Sequence, residues 1–148
     1  MHRLTSGVVL TLFLAVSPAS ASNLRSWVSG TGNDGNPCTR SSPCATFAVA
    51  YLNTSAGGEI DAVDPGEYGP LTISHSITID GGGGVASITS TNTDCGFNTA
   101  ICVLVLGASD MVILRNLSIT VTPGPEGYGL IVANGAGTVH VESMSPLA

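Results

Sequence analysis

The chain has 148 residues, ten acids, four arginines, no lysine, and a net charge of −6. An acidic, lysine-free surface repels phosphate backbones, which argues against nucleic acid as a partner. It also disfavours a site that grips anionic sugars with many cations, and the length allows one domain.

His2 and Arg3 give a positive start, and Gly7 to Val16 (GVVLTLFLAV) is an uncharged, mostly apolar run. Pro18 and Ala19-Ser20-Ala21 follow, the order of a secretory signal peptide cleaved after Ala21. A run this short does not cross a bilayer, which needs roughly 20 residues. No other stretch is apolar enough to span a membrane as a helix. The expected organisation is a signal peptide at 1–21, an N-terminal strand, loop and helix at 22–57, and a β-rich region at 58–148. Loss of the signal removes one arginine and no acid, so the mature protein is one unit more acidic.

The four cysteines are Cys38, Cys44, Cys95 and Cys102. Export makes disulfides the expected state. Three connectivities are open. Cys38–Cys44 with Cys95–Cys102 is favoured, because each pair brackets a short Pro-, Ser- or Asn-containing loop. Zinc is a weaker reading, since the spacings lack a tight cysteine knuckle and no histidine lies near.

A strand at Ser26-Trp27-Val28 leads into a turn-rich stretch from Gly30 to Pro43. Pro43 at a first-turn position, with Ser41 or Ser42 as cap, predicts a helix over 43–53, ended by Gly57-Gly58. From Glu59 onward, short alternating runs are separated by Gly, Pro, Asn and Asp, the pattern of half-buried strands. An internal repeat organises them. Ile73-Ser74-His75-Ser76-Ile77-Thr78-Ile79 matches Ile113-Leu114-Arg115-Asn116-Leu117-Ser118-Ile119 at an offset of 40. The second copy matches His140 to Ser145 at an offset of 27. Each copy is strand, two polar corner residues, strand. The longer first interval is attributed to a polar loop at 90–100. Such units are the signature of a solenoid, stacked because one coil cannot bury its apolar face alone. An immunoglobulin-like sandwich is the alternative, but explains neither the repeated corner nor the early helix.

Five motifs then line up: Val28 to Asp34, Pro43 to Phe47, Gly58 to Ile60, Pro65 to Tyr68, and Ile77 to Gly81. Together they resemble the opening of bacterial secreted right-handed parallel β-helix proteins of the pectin-lyase-like superfamily. The resemblance implies an all-β solenoid of about three coils. It also implies an N-terminal capping α-helix over the mouth, stapled by the cysteine pair at 38 and 44. Pectate lyases, polygalacturonases, adhesins and uncharacterised proteins share that fold, so fold alone carries no function.

A lyase of this kind needs acids converging on calcium and a basic side chain. The candidates are Asp61, Asp64, Asp80, Arg25, Arg40 and Arg115, but no ligand-dense loop surrounds them. Asn92-Thr93-Asp94 matches one polygalacturonase motif without the others, so an acid–base pair is not assembled. Asn33-Asp34-Gly35-Asn36 reads as a turn, because it lacks the ligand run of a calcium loop. His75 and His140 read as exposed polar residues, and Asn116 as a corner side chain bonding the backbone. No serine lies in a nucleophile elbow. No catalytic, cofactor or metal site is therefore assigned.

The expected function is a non-catalytic secreted β-helix, extracellular or periplasmic, that binds carbohydrate or a cell-surface polymer. The alternative is the N-terminal part of a polysaccharide lyase or glycoside hydrolase whose catalytic coils lie beyond residue 148. Pro146 stands where Ile79 and Ile119 stand in the earlier copies, and proline removes a ladder donor. The expectation at this end is a truncated frame, an uncapped last coil and end-to-end self-association.

Overall fold

A computed structural model describes residues 22–83, 86–91, 93–104, 107–124, 126–133 and 135–146. The expected signal peptide, Gly84 and Asn92 of the Asn-Thr-Asp motif lie outside these residues.

Among the described residues parallel β-sheet is the main regular structure, with one short helix. The strands are β1 Asn23–Val28, β2 Thr54–Ala62, β3 Gly66–Glu67, β4 Leu71–Ile73, β5 Ile77–Asp80 and β6 Ala86–Thr89. They continue with β7 Asn98–Val103, β8 Met111–Arg115, β9 Leu117–Thr120, β10 Gly127–Val132, β11 Thr138–Glu142 and β12 Ser145–Pro146. Three sheets result. The first has the order β1-β2-β5-β8-β11, the second β10-β7-β4 and the third β12-β9-β6-β3. Every strand pairing within them is parallel. From β4 onward the chain visits the second, first and third sheets in turn, three times over.

The two-residue period explains the core. Along β5 the buried residues are Ile77 and Ile79, and along β8 Val112 and Leu114. Parallel register stacks them: Ile60 on Ile79 on Leu114 in the first sheet, and Leu71 on Ile101 in the second. Each buried aliphatic side chain contributes roughly 1.5–3 kcal/mol relative to exposure. Turn-poor strands of this length gain little locally, so these cross-strand stacks hold the sheets together.

The first corner departs from the expected repeat. Ile77 and Ile79 pair with Val112 and Leu114, not with Leu117 and Ile119. The counterpart of Arg115-Asn116 is Asp80-Gly81, whose Gly81 amide donates to the Arg115 carbonyl at 3.0 Å. His75-Ser76 instead turns between β4 of the second sheet and β5 of the first. Alternating apolar residues look alike on every strand, so sequence matching found a plausible register one sheet out of step. The later copy is in register as expected: Arg115 faces Glu142, and Ser118 faces Ser145. Asn116 and Ser143 both take the left-handed conformation, with φ of 57° and 51°.

The helix is α1, Phe47–Leu52, shorter than the expected 43–53. Its N-cap is Thr46, whose hydroxyl accepts from the Val49 amide, and not Ser41 or Ser42. Those serines and Pro43 belong to the loop that Cys38–Cys44 closes. Phe47, Ala50 and Tyr51 are buried at helical spacing, and the chain passes through Asn53 straight into β2. Gly57-Gly58 therefore lies within β2 and does not end the helix. Asp34 fixes the entry: its Oδ1 accepts from the amides of Ala45 and Thr46, both at 2.9 Å. The Asn33 to Asn36 stretch is a turn, with Asn33 Oδ1 accepting from the Gly35 amide and the Asn33 backbone carbonyl from the Asn36 amide.

Both favoured disulfides, Cys38–Cys44 and Cys95–Cys102, are present and no cysteine is free. They fit an oxidising compartment outside the cytoplasm. Among the described residues no helix is long and apolar enough to cross a membrane.

Candidate functional site

Alternation that buries Ile60, Ile79 and Leu114 turns the residues between them outward. On β1 these are Arg25 and Trp27, on β2 Glu59 and Asp61, on β5 Asp80, and on β8 Arg115. The parallel register places Trp27 beside Asp61, Asp61 beside Asp80, Asp80 beside Arg115, and Arg115 beside Glu142. One row along the outer face of the first sheet thus carries an aromatic ring, two carboxylates, a guanidinium and a further carboxylate.

Two like charges in adjacent rows repel unless cations bridge them. Arg25 Nε donates to Asp61 Oδ2 at 2.5 Å, and its Nη2 lies 3.4 Å from Glu59 Oε2. Arg115 Nε donates to Asp80 Oδ2 at 2.8 Å, and its Nη2 to Glu59 Oε1 at 2.6 Å. Glu59 is the shared partner. Asp80 Oδ1 also accepts from the Gly82 amide at 2.9 Å and from Asn116 Nδ2 at 3.0 Å. Asn116 therefore bonds a carboxylate, where the sequence predicts a bond to the backbone; among the described residues its side chain makes none. Burial pushes the Asp80 carboxyl upward, but the Asn116, Gly82 and Arg115 donors outweigh it and hold it below its usual range. The Arg25 guanidinium is raised chiefly by its hydrogen bond to Asp61, and Arg115 by its bond to Asp80.

One oxygen each from Glu59, Asp61 and Asp80 lies within 4.8 Å of the other two. This is the geometry in which a cation could be held, and here the two guanidinium groups supply the positive charge. Arg25 also lies over the Trp27 ring, 5.8 Å from its centre, within cation–π range. An open groove of about 310 Å³ runs beside the row, lined by Arg25, Trp27, Arg40, Asp61 and Asp80 among others. Arg40 is exposed there, with no ion-pair partner among the described residues.

Four of the six charged candidates thus meet on one face, and Arg40 borders it. Asp64 does not join them. It accepts from the Ser29 hydroxyl at 2.6 Å and the Gly30 amide at 2.7 Å. The buried Tyr68 hydroxyl lies 2.6 Å from the Asp64 carbonyl and 2.7 Å from Asp64 Oδ1, able to donate to either. That arrangement locks the turn before β3. Asp94 accepts from the Thr72 hydroxyl. His75 stacks on Tyr51 with ring centres 4.3 Å apart, while His140 is exposed on β11 beside Ile113. Sequence reasoning missed Glu59 and the role of Trp27. The signal was present in the alternation of Glu59 and Asp61 about buried Ile60.

Compared with known proteins, the chain matches no family model, no curated protein and no solved structure.

Proposed function

We propose that the chain is a secreted right-handed parallel β-helix of the pectin-lyase-like kind. On this reading α1 and the Cys38–Cys44 loop cover its N-terminal mouth. Its role is to bind a surface polymer through the outer face of the first sheet, without catalysis. Three features support the solenoid: all-parallel pairing, repeated rotation of strands through three sheets, and in-register apolar stacks. Support for the covering role comes from β1, whose Trp27 amide donates to the Cys38 carbonyl and whose Trp27 carbonyl accepts from the Cys44 amide. The two disulfides and the signal-like start of the sequence support export.

The observation that carries the binding role is the ordered row from Trp27 to Arg115. Its charges are fixed by one another, and it borders an open groove rather than an enclosed cleft. Preorganised polar groups beside an aromatic face suit binding of a hydroxyl-rich polymer. Asp80, at the centre of the row, is held below its usual range, whereas a general acid needs a raised carboxyl.

The test is retention of the mature protein on insoluble cell-wall polysaccharides, read against a variant with Asp61→Asn and Arg115→Gln. Retention by the native protein and its loss in the folded variant is the expected result. Equal retention of both means that this face is not the binding surface. Release of reducing or unsaturated sugar by the native protein would favour the carbohydrate-active enzyme instead.

A further inference from the structure

The row's composition narrows the class of polymer, on the reading that this face binds one. We infer that the Trp27 groove takes a neutral, linear, hydroxyl-rich polysaccharide strand, laid along the stack across β1, β2, β5 and β8.

The charge balance is the first argument. Arg25, Arg40 and Arg115 are set against Glu59, Asp61 and Asp80, so the site itself is neutral. The chain around it carries a net charge of −6, which repels polyanions at long range. A polycation finds its carboxylates already bridged by guanidinium groups.

Unused hydrogen-bonding capacity is the second argument. A carboxylate offers about four lone-pair positions, and a guanidinium five N–H donors. Asp80 already accepts three hydrogen bonds, whereas Asp61 accepts one, from Arg25, and its Oδ1 has no donor among the described residues. Arg40, across the same groove, makes no side-chain hydrogen bond or ion pair among the described residues. A vicinal diol matches this pair, because one hydroxyl can donate to Asp61 while its neighbour accepts from Arg40. Trp27 beside them supplies an aromatic surface for the apolar face of a sugar ring.

Shape is the third. Trp27, Asp61, Asp80 and Arg115 succeed one another in register, and parallel strands lie about 4.8 Å apart, which makes a straight track of about 14 Å. The groove is open, so a strand can enter it from the side. An extended chain fits that track better than a compact or branched ligand.

Trp27 is the single tryptophan, so its fluorescence reports on the site directly. The mature protein is titrated with cellohexaose, xylohexaose and mannohexaose, and in parallel with hexagalacturonate and a chitosan hexamer. The expected result is a saturable change with at least one neutral hexamer. Its midpoint should stay within twofold between 20 mM and 500 mM salt. It should weaken at least tenfold in Asp61→Asn and in Arg40→Ala, with unchanged far-ultraviolet circular dichroism. A change with hexagalacturonate or chitosan alone, weakening steeply with salt, overturns the neutral assignment while leaving the face as a binding surface. No change with any of the five hexamers overturns the assignment of this face together with the inference.

Discussion

Asp61 on β2 and Asp80 on β5 stand directly opposite each other in register, and each carboxylate is held by a different arginine. Arg115 does more of this bridging than Arg25, because it reaches both Asp80 and Glu59 at short range. Removing it leaves three carboxylates within 4.8 Å facing one guanidinium. Exposed ion pairs are each worth about 0.2–1 kcal/mol. Arg115→Ala should therefore lower the melting temperature by a few degrees at low salt, and by less at 1 M salt, where screening weakens the repulsion. Millimolar calcium should raise the melting temperature of Arg115→Ala more than that of the native protein, since the cation replaces the missing charge. Thermal scans with and without calcium decide this, and an equal calcium response in both proteins would contradict the picture.

The strands were legible in the sequence because buried and exposed residues alternate, as at Ile77 and Ile79 or Val112 and Leu114. Register was not. Parallel partners such as Asp80 and Arg115 are far apart along the chain, and nothing local distinguishes Val112 from Leu117 as the partner of Ile77. The helix start failed for a related reason. Pro43 looks like a first-turn residue, but the Cys38–Cys44 loop holds it, and Thr46 becomes the cap with Asp34 bracing it from twelve residues away. Arg25, Asp61, Asp80 and Arg115 were visible as candidates, yet their meeting depends on that same long-range register. Glu59 shows in the alternation about Ile60 as an outward carboxylate, but its joining of the two arginines depends on that register.

Acid should attack the Asp64 lock. The Ser29 hydroxyl, then the Gly30 amide, hold the Asp64 carboxyl below its usual range, with Tyr68 adding to the effect. A carboxyl whose folded pKa is depressed contributes its full stability above the unfolded pKa of about 3.9. That contribution is lost as pH falls from there through the lowered folded value. Asp64→Asn should be less stable than the native protein at pH 7 and lose less on going to pH 3. Urea midpoints at the two pH values measure the difference. An identical acid loss in both proteins would place the sensitivity elsewhere, with Asp80 the next carboxyl to examine.

The two disulfides should protect the fold without leaving any reactive thiol. Each closes a short loop, Cys38 to Cys44 and Cys95 to Cys102, worth about 2 kcal/mol on the chain-entropy account. Cys38, Cys44 and Cys102 are buried, whereas Cys95 is only partly so. Mild thiol reductant should therefore open Cys95–Cys102 before Cys38–Cys44. Alkylation followed by peptide mass spectrometry gives the order directly. Labelling of Cys38 and Cys44 first would mean that their loop opens more readily than its burial indicates.

Gly81 tests the corner itself. It follows Asp80 at the end of β5, and its amide donates to the Arg115 carbonyl at 3.0 Å, tying one corner to the next. A Cβ added at Gly81 would fall 1.9 Å from the Asn116 carbonyl oxygen and 2.7 Å from its carbon. These are backbone atoms and cannot swing aside as a flexible side chain would. Gly81→Ala should therefore separate the two corners, weakening the Arg115 hydrogen bond and pulling Asp80 away from Asn116 and Arg115. Overpacking of this kind costs about 1–3 kcal/mol or more. Asn116→Gly makes the converse change: it keeps the positive φ of 57° available at no steric cost but removes the amide that donates to Asp80. Denaturant unfolding should rank the variants with Gly81→Ala the least stable, Asn116→Gly intermediate and the native protein highest. Native-like stability of Gly81→Ala would mean that the two corners do not approach as closely as described, and with them the register that joins Asp80 to Arg115 would fall.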